Sequence, residues 1–345
     1  MRTLLTHLAL LAALILTGCG RAPLQEQQAF VFGTRVEVLV AGGDAEQGRQ
    51  AIAAVLREFD RLHRDFHAWQ ASELTALNSA IFSGRPQTVS DELAAFIREA
   101  QQLAARGDHL FDPGIGRLIA LWGFQSDEFA ARLPATDDLA AWRKAAPSIA
   151  DLQIDGNIVT SRNRQVALDF GGYLKGVALD RAARLLREQG VRNALINIGG
   201  NVMALGNKSG QPWRIGIQHP RQPGPLATVK LADGEAIGTS GDYQRYFELD
   251  GQRYPHLLDP RSAQPAAHTQ AVTVLIPATP DAGTRSDALS KPIFIAGRNA
   301  WRDIARKLDT ALVLRVDADG SIQITEALRQ RLEFVGKPGA IEIVP

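Results

Sequence analysis

Four short stretches carry side chains able to do chemistry. The run LDFGGYLKGVALD, Leu168 to Asp180, sets two glycines behind Asp169 and places Lys175 three residues after Gly172. Glycines let backbone approach a ligand closely, amides at a helix start attract anions, and an ammonium there can meet a phosphate. The same pattern also suits a tight strand-to-helix turn with a solvated lysine. It has neither the Lys-Ser/Thr ending of a P-loop nor the spacing of a dinucleotide fingerprint. A second diglycine, INIGGN at Ile196 to Asn201, either lines a cleft with the first or is a bulge or tight hairpin. Tyr254 to Arg261 holds His256 with Asp259, Pro260 and Arg261, a set that serves catalysis or simply fixes a loop. Ser286 to Lys291 places Asp287 at a helix start, where a carboxylate caps the helix or holds a hard divalent cation such as Mg²⁺. No His, Asp or Glu grouping has transition-metal spacing. Gly238 to Asp242, GTSGD, lacks a nucleophile elbow, and no Ser-His-Asp set stands out.

The elements that must hold these groups are legible from periodicity. Phe30 to Val40 reads as a strand interrupted at Gly33 and Thr34. Ile52, Val55, Leu56, Phe59, Leu62 and Phe66 recur as one face of a helix, and Ser90 caps a second helix carrying Leu93, Phe96, Ile97, Ala100 and Leu103. Ala131 to Ser148 reads as a surface connection with a short helix that separates two lobes. A short strand up to Phe170 leads through the diglycine into a helix from Lys175 to Gln189, then a strand from Ala194 to Ile198. Runs at Trp213–Ile217, Ala227–Leu231, Arg245–Leu249 and Val272–Ile276 alternate as in an antiparallel sheet. A helix from Ser286 and strands at Ala311–Val316, Ser321–Thr325 and Ile341–Val344 complete an α+β body with mixed, largely antiparallel sheets.

The chain has 345 residues with 38 Lys and Arg against 37 Asp and Glu, so bulk electrostatics do not hold it to nucleic acid. One cysteine supports neither a disulfide framework nor a Cys-based zinc site. That cysteine, Cys19, closes an apolar run from Leu4 to Leu16 too short to span a bilayer, and Leu-x-Gly-Cys resembles a bacterial lipobox. The reading is a lipoprotein signal over 1–18, acylation of Cys19, a leader or tether over 19–29 and a folded domain over 30–345. The body then sits on the periplasmic side of a bacterial membrane, inner or outer.

Taken together and in order, FGT at Phe32 to Thr34, SELTALN at Ser72 to Asn78, FDPGIG with LWGF across Phe111 to Phe124, DFGGYLKG, INIGGN, TSGDYQRYF, HLLDPRSA and SDALS resemble the ApbE family of FAD:protein FMN transferases. The motifs cover nearly all of the mature chain. The resemblance implies two lobes around a flavin cleft and an enzyme that binds FAD, uses Mg²⁺ and moves FMN onto a Thr or Ser hydroxyl of another protein, releasing AMP. It implies acceptors among flavin-carrying subunits of membrane redox complexes, such as the sodium-translocating NADH:quinone reductase or Rnf type. By motif position, Phe32, Phe111, Asp112, Asp169, Lys175, His256 and Leu257 contact FAD, with Asn78 near the same site. Gly172, through its carbonyl, and Asp287 hold the metal.

Chemically, the diphosphate needs a cation, a role for Lys175, and the attacking hydroxyl needs a base, for which His256 and Asp242 stand ahead of Asp287. One position departs from the family. Many members carry a Thr metal ligand four residues after the metal Asp, and here the residue is Lys291, which has no acceptor to offer Mg²⁺. Water in that position, an ammonium replacing part of the metal's charge, and weak metal binding are the three outcomes. Two other activities fit the same residues: hydrolysis of FAD to FMN and AMP, and non-catalytic FAD binding by a lipoprotein.

Overall fold

The computed structural model describes residues 24–126, 128 and 130–345. The signal segment 1–18 and Cys19 lie outside the described residues. β-Branched and apolar residues at every second position build one nine-stranded sheet: β1 (Leu24–Val31), β2 (Thr34–Ala41), β3 (Ala194–Ile198), β4 (Asn201–Leu205), β5 (Ala236–Gly241), β6 (Thr269–Ile276), β7 (Val313–Asp317), β8 (Ile322–Thr325) and β9 (Ile341–Val344). The strands lie side by side in chain order, each antiparallel to the next until β9, which joins β8 in parallel.

Both faces of the inner strands β4 to β8 are covered, so their alternation is mostly of apolar against apolar, while the edge strand β1 keeps an exposed face. Val36, Val38 and Val40 of β2 point to a helical layer, as do Ile196 and Ile198 of β3 and Val272 and Val274 of β6. That layer contains α1 (Ala45–Asp65), α2 (Glu73–Phe82), α3 (Asp91–Arg106), α6 (Leu174–Glu188) and α7 (Ala282–Lys307). Val202, Ala204, Ile237 and Leu275 point the other way, onto a three-stranded sheet formed by Trp213–Gln218, Pro225–Leu231 and Leu332–Phe334. A third, aromatic cluster joins α4 (Gly116–Leu121) and α5 (Thr136–Ala145) to the hairpin of Tyr246–Leu249 and Gln252–Pro255, where the rings of Phe247 and Tyr254 stack 5.0 Å apart.

Caps set the helix limits. Asp44 accepts from the Gln47 N–H at 2.8 Å to start α1, and Ser90 accepts from Leu93 at 3.1 Å to start α3, with Gly107 at its end. α7 is broken at Gly297, whose φ of 78° no L side chain adopts easily.

Several expectations are corrected. Phe30 to Val40 is a hairpin rather than one strand, and β1 begins at Leu24, inside the expected tether; Leu24 pairs with Ala41. The segment before Phe170 makes only an isolated bridge between Ile115 and Ala167. Of the four alternating runs, only Val272–Ile276 lies in the main sheet. GTSGD forms the end of β5, a central strand, and α7 starts at Ala282, a turn earlier than Ser286.

Candidate active site

A cavity of about 930 Å³ opens between the aromatic cluster and the ends of β2 to β5. The glycine pairs bring the chain to its rim. Gly199 and Gly200, with φ of 58° and 93°, form the tight β3–β4 turn, and the cavity wall includes both of them with Asn197 and Asn201. The β1–β2 turn has the same form, but its first residue is Phe32 at φ 57°. A bulky residue in the left-handed region carries backbone strain, here of order 1–3 kcal/mol. The turn seats Phe32 in the cavity wall, edge-on to His63 at 5.6 Å.

Lys175, Asp287 and Lys291 meet where the start of α6 crosses α7. The crossing is close because Gly176 has no side chain: a Cβ there would come within 2.5 Å of the Gly283 carbonyl. Each helix caps the other. Asp180 of α6 accepts from the N–H groups of Gly283 and Thr284 at 2.7 and 2.8 Å, and Asp287 of α7 accepts from the Gly176 N–H at 3.0 Å. The Asn201 amide donates to the other Asp287 oxygen at 3.0 Å, and Lys291 Nζ donates to that same oxygen at 2.6 Å and to the Asp287 carbonyl at 2.7 Å. Lys175 Nζ donates to the Gly171 carbonyl at 2.7 Å and lies 3.9 Å from Asp287. Burial pushes the Asp287 carboxyl up, but the charges of Lys175 and Lys291, with the hydrogen bonds from Lys291 and the Gly176 N–H, outweigh it and hold it below the usual carboxylate range. Asp287 is therefore an anion with three donors on it.

This geometry decides whether a divalent cation fits. Mg²⁺ needs oxygens at about 2.0–2.1 Å in an octahedral shell. The Lys291 ammonium already occupies the Asp287 oxygen that the Asn201 amide also binds, and its stem lies against Gly172, where a Cβ would meet Lys291 Cε at 2.8 Å. Among the described residues, no group of three or more His, Cys, Asp or Glu is arranged to hold a metal. The residues present at Gly172, Asp287 and Lys291 do not fit Mg²⁺ as they stand.

The opposite wall holds His256 and Leu257. His256 Nδ1 lies 3.0 Å from the Arg245 carbonyl. A carbonyl only accepts, so Nδ1 carries the proton and Nε2 keeps a lone pair. Burial, then the charges of Arg245, Lys175 and Lys291, push the imidazole down to about 3, so it is neutral. Asp169 also lines the cavity; burial raises its carboxyl above the ordinary range, against a 2.8 Å hydrogen bond from the Gly171 N–H.

Other expected site residues are placed differently. Phe111 is in the wall. Asp112 reaches it too, but its carboxylate takes the N–H groups of Gly114 and Ile149, both at 2.8 Å, and the Ser148 hydroxyl at 2.5 Å, so its bonds tie the loop to residues 148–149. Asn78 is not in the wall: its amide donates to the Leu168 carbonyl at 2.9 Å and accepts from the Leu168 N–H at 2.7 Å, holding the strand-like approach to the diglycine. Asp242 is also outside the wall and is clamped by Arg221 at 2.6 and 2.7 Å. Residues that the sequence reading passed over include Trp69, Arg245 and Gln244. Arg245 sits within TSGDYQRYF, and a guanidinium inside a motif rich in turn residues was the available signal.

Comparison with known proteins agrees with the geometry. A profile of the ApbE family matches residues 32–314. The chain belongs to the ApbE family. It is 40% identical to a FAD:protein FMN transferase of Rhodobacter capsulatus over 98% of this chain, and spans 65% of that relative's length. The corresponding transferase of Salmonella typhimurium is 28% identical over 88% of this chain and 90% of its own. Among solved structures, the ApbE protein of Thermotoga maritima superposes with a TM-score of 0.81 at 30% identity, covering 90% of this chain and 99% of that one. The apo flavinyl transferase ApbE of Pseudomonas stutzeri gives 0.77 at 28% identity, with 91% and 98% covered.

Proposed function

We propose that this ApbE-family chain transfers FMN from FAD to a Ser or Thr hydroxyl of an acceptor protein and releases AMP. The observation that carries the reading is the convergence, in one cavity, of a diglycine helix start, two ammonium groups and a neutral histidine. The cavity volume suits a dinucleotide, since ligand pockets run from about 300 to 1,000 Å³. Phe32 and Phe111 offer apolar surface to a flavin ring, and Lys175 with the first amides of α6 offers positive charge to the diphosphate.

In the reaction the acceptor oxygen bonds to the phosphorus of the FMN half, the bridging P–O bond breaks, and AMP leaves with the electron pair. The hydroxyl proton goes to His256 Nε2. Negative charge grows on the bridging oxygen, and donors fixed in place before the reaction stabilise it most effectively. Lys175 and Lys291 are such donors, already oriented by Gly171 and Asp287. Asp242, held by Arg221, takes no part in proton transfer in this scheme.

The acceptors proposed are flavin-carrying subunits of membrane redox complexes, of the NADH:quinone reductase or Rnf type, reached from the periplasmic side by a body anchored through Cys19. The test is to incubate residues 24–345 with FAD and a soluble domain of such a subunit, then weigh the domain. One added FMN is expected, lost with His256→Asn and with Lys175→Ala. FMN and AMP appearing without labelled protein would mark a hydrolase instead.

A further inference from the structure

The residue of α7 that stands against Gly172 is a cation covalently built into the chain. Lys291 Nζ uses two of its three N–H bonds on the Asp287 side chain and carbonyl, at 2.6 and 2.7 Å, and the residue lines the cavity, so one donor remains for a ligand. Its position is enforced. Asp287 is itself held by Gly176 and Asn201, Ser290 donates to the Asp287 carbonyl at 2.8 Å, and the Lys291 stem fills the space that a Cβ at Gly172 would need. The ammonium is a member of a packed, hydrogen-bonded array rather than a mobile surface lysine.

We infer that Lys291 serves as the diphosphate counter-cation in place of a divalent metal, so that this chain binds FAD and transfers FMN without Mg²⁺. The inference rests on the transferase reading for the second half of that statement and on geometry alone for the first. An ammonium 2.6 Å from the Asp287 oxygen and a Mg²⁺ bonded to the same oxygen would be two cations in contact, and the one bound by the chain is present at every metal concentration. The diphosphate of FAD carries two negative charges and Asp287 adds one; Lys175, Lys291, Arg245 and Arg35 line the cavity to oppose them, in a wall that also holds the carboxyls of Asp169 and Asp112. What a metal does for the leaving AMP by charge, Lys291 and Lys175 do by charge and directed hydrogen bonds.

The experiment uses residues 24–345 stripped of metal and compares EDTA with millimolar Mg²⁺. By calorimetry the FAD dissociation constant is expected to agree within twofold between the two conditions. Lys291→Met, close in volume, is expected to weaken FAD at least tenfold in EDTA. Mn²⁺ titrated in the presence of FAD and followed by electron paramagnetic resonance should show no stoichiometric site in the wild-type chain. Lys291→Thr, which supplies an oxygen and removes the charge, should create one and make FAD binding and FMN transfer depend on the metal. A tenfold tightening of FAD by Mg²⁺, or a one-to-one Mn²⁺ site in the wild type, overturns the inference even if transfer is observed. Metal-independent FAD binding with no FMN on the acceptor in either condition overturns the transferase reading and leaves the counter-cation standing.

Discussion

At the scale of single residues, the site depends on which groups are free to change protonation. His256 is pushed down to about 3 first by burial and then by three cations, and a bound diphosphate would neutralise much of that charge. Its conjugate acid is therefore stronger in the free enzyme than in the FAD complex. Since kcat/KM reports free-enzyme groups and kcat reports the complex, the acid limb of kcat is expected at least one unit above that of kcat/KM. Coincident limbs would remove His256 as the base. His256→Asn should lower kcat by about 10²–10⁴ while leaving the FAD dissociation constant within a few-fold. Asp242 gives the contrasting case. With its carboxylate clamped by Arg221, Asp242→Asn is expected to cost about 1–3 kcal/mol in urea unfolding and to leave the shape of the pH–rate profile unchanged. A vanished limb would return Asp242 to the chemistry. These roles could not be told apart in sequence. Asp242 and His256 are both polar residues beside turn motifs, and what separates them is tertiary: His256 lines the cavity, while Asp242 lies outside its wall against a guanidinium 21 positions away.

At the scale of elements, the crossing of α6 and α7 is the part of the scaffold on which the site depends. Gly176→Ala would drive a Cβ into the backbone of Gly283 and Thr284. We expect a loss of about 1–3 kcal/mol in denaturant unfolding, and a larger loss of FMN transfer than of stability, because the same shift moves Lys175 away from Asp287. Full activity in a variant that is merely less stable would show that the helices tolerate separation. Asp180, which caps α7, has its carboxyl raised by burial from 3.8 to about 6, against its hydrogen bonds from Thr284 and Gly283. Between those two pH values the unfolded chain is ionised while the folded chain keeps the proton, so this group's contribution to stability is greatest below pH 4 and falls as pH rises through 6. A shift of that size is worth roughly 3 kcal/mol. The stability difference between wild type and Asp180→Asn should therefore move toward the variant by about that amount from pH 4 to pH 7; a constant difference would refute the raised value. Helices α1, α3 and α6 were legible because each has a one-sided apolar stripe and a clear cap or terminal glycine. α2 was not, since its ten residues ELTALNSAIF serve as a positioning device, with Asn78 turned onto Leu168. The strands β4 and β5 were obscured by burial on both faces, which removes the polar alternation that marks a half-exposed strand.

At the scale of the whole molecule, the order of the nine strands follows the chain, yet the site is assembled from segments far apart in sequence, as the bonds from Asp287 to Gly176, 111 residues away, and to Asn201, 86 residues away, show. Motif spacing says nothing about such distances, so the diglycines could be recognised but not the ammonium pair that they surround. The N-terminus carries a consequence of the same kind. β1 begins at Leu24 and is paired along its whole length, so a lipid on Cys19 would be joined to the folded sheet by residues 20–23 alone. Fully extended, the path from Cys19 to Leu24 reaches about 18 Å, and the strand from Leu24 to the cavity rim at Phe32 adds about 27 Å. On the proposed lipid anchor the cavity would stay within about 45 Å of the lipid, close enough for an acceptor hydroxyl near the membrane and too short for one on a distant domain. Inserting twenty Gly and Ser residues after Ala22 would loosen this geometry to a coil spanning about 25 Å on average. With acceptor and enzyme in the same vesicles, the insertion is expected to slow FMN transfer several-fold, while transfer to the soluble acceptor domain stays unchanged. Equal rates in both assays would mean that the short tether does not select the acceptor, and that recognition resides in the surface around the cavity mouth.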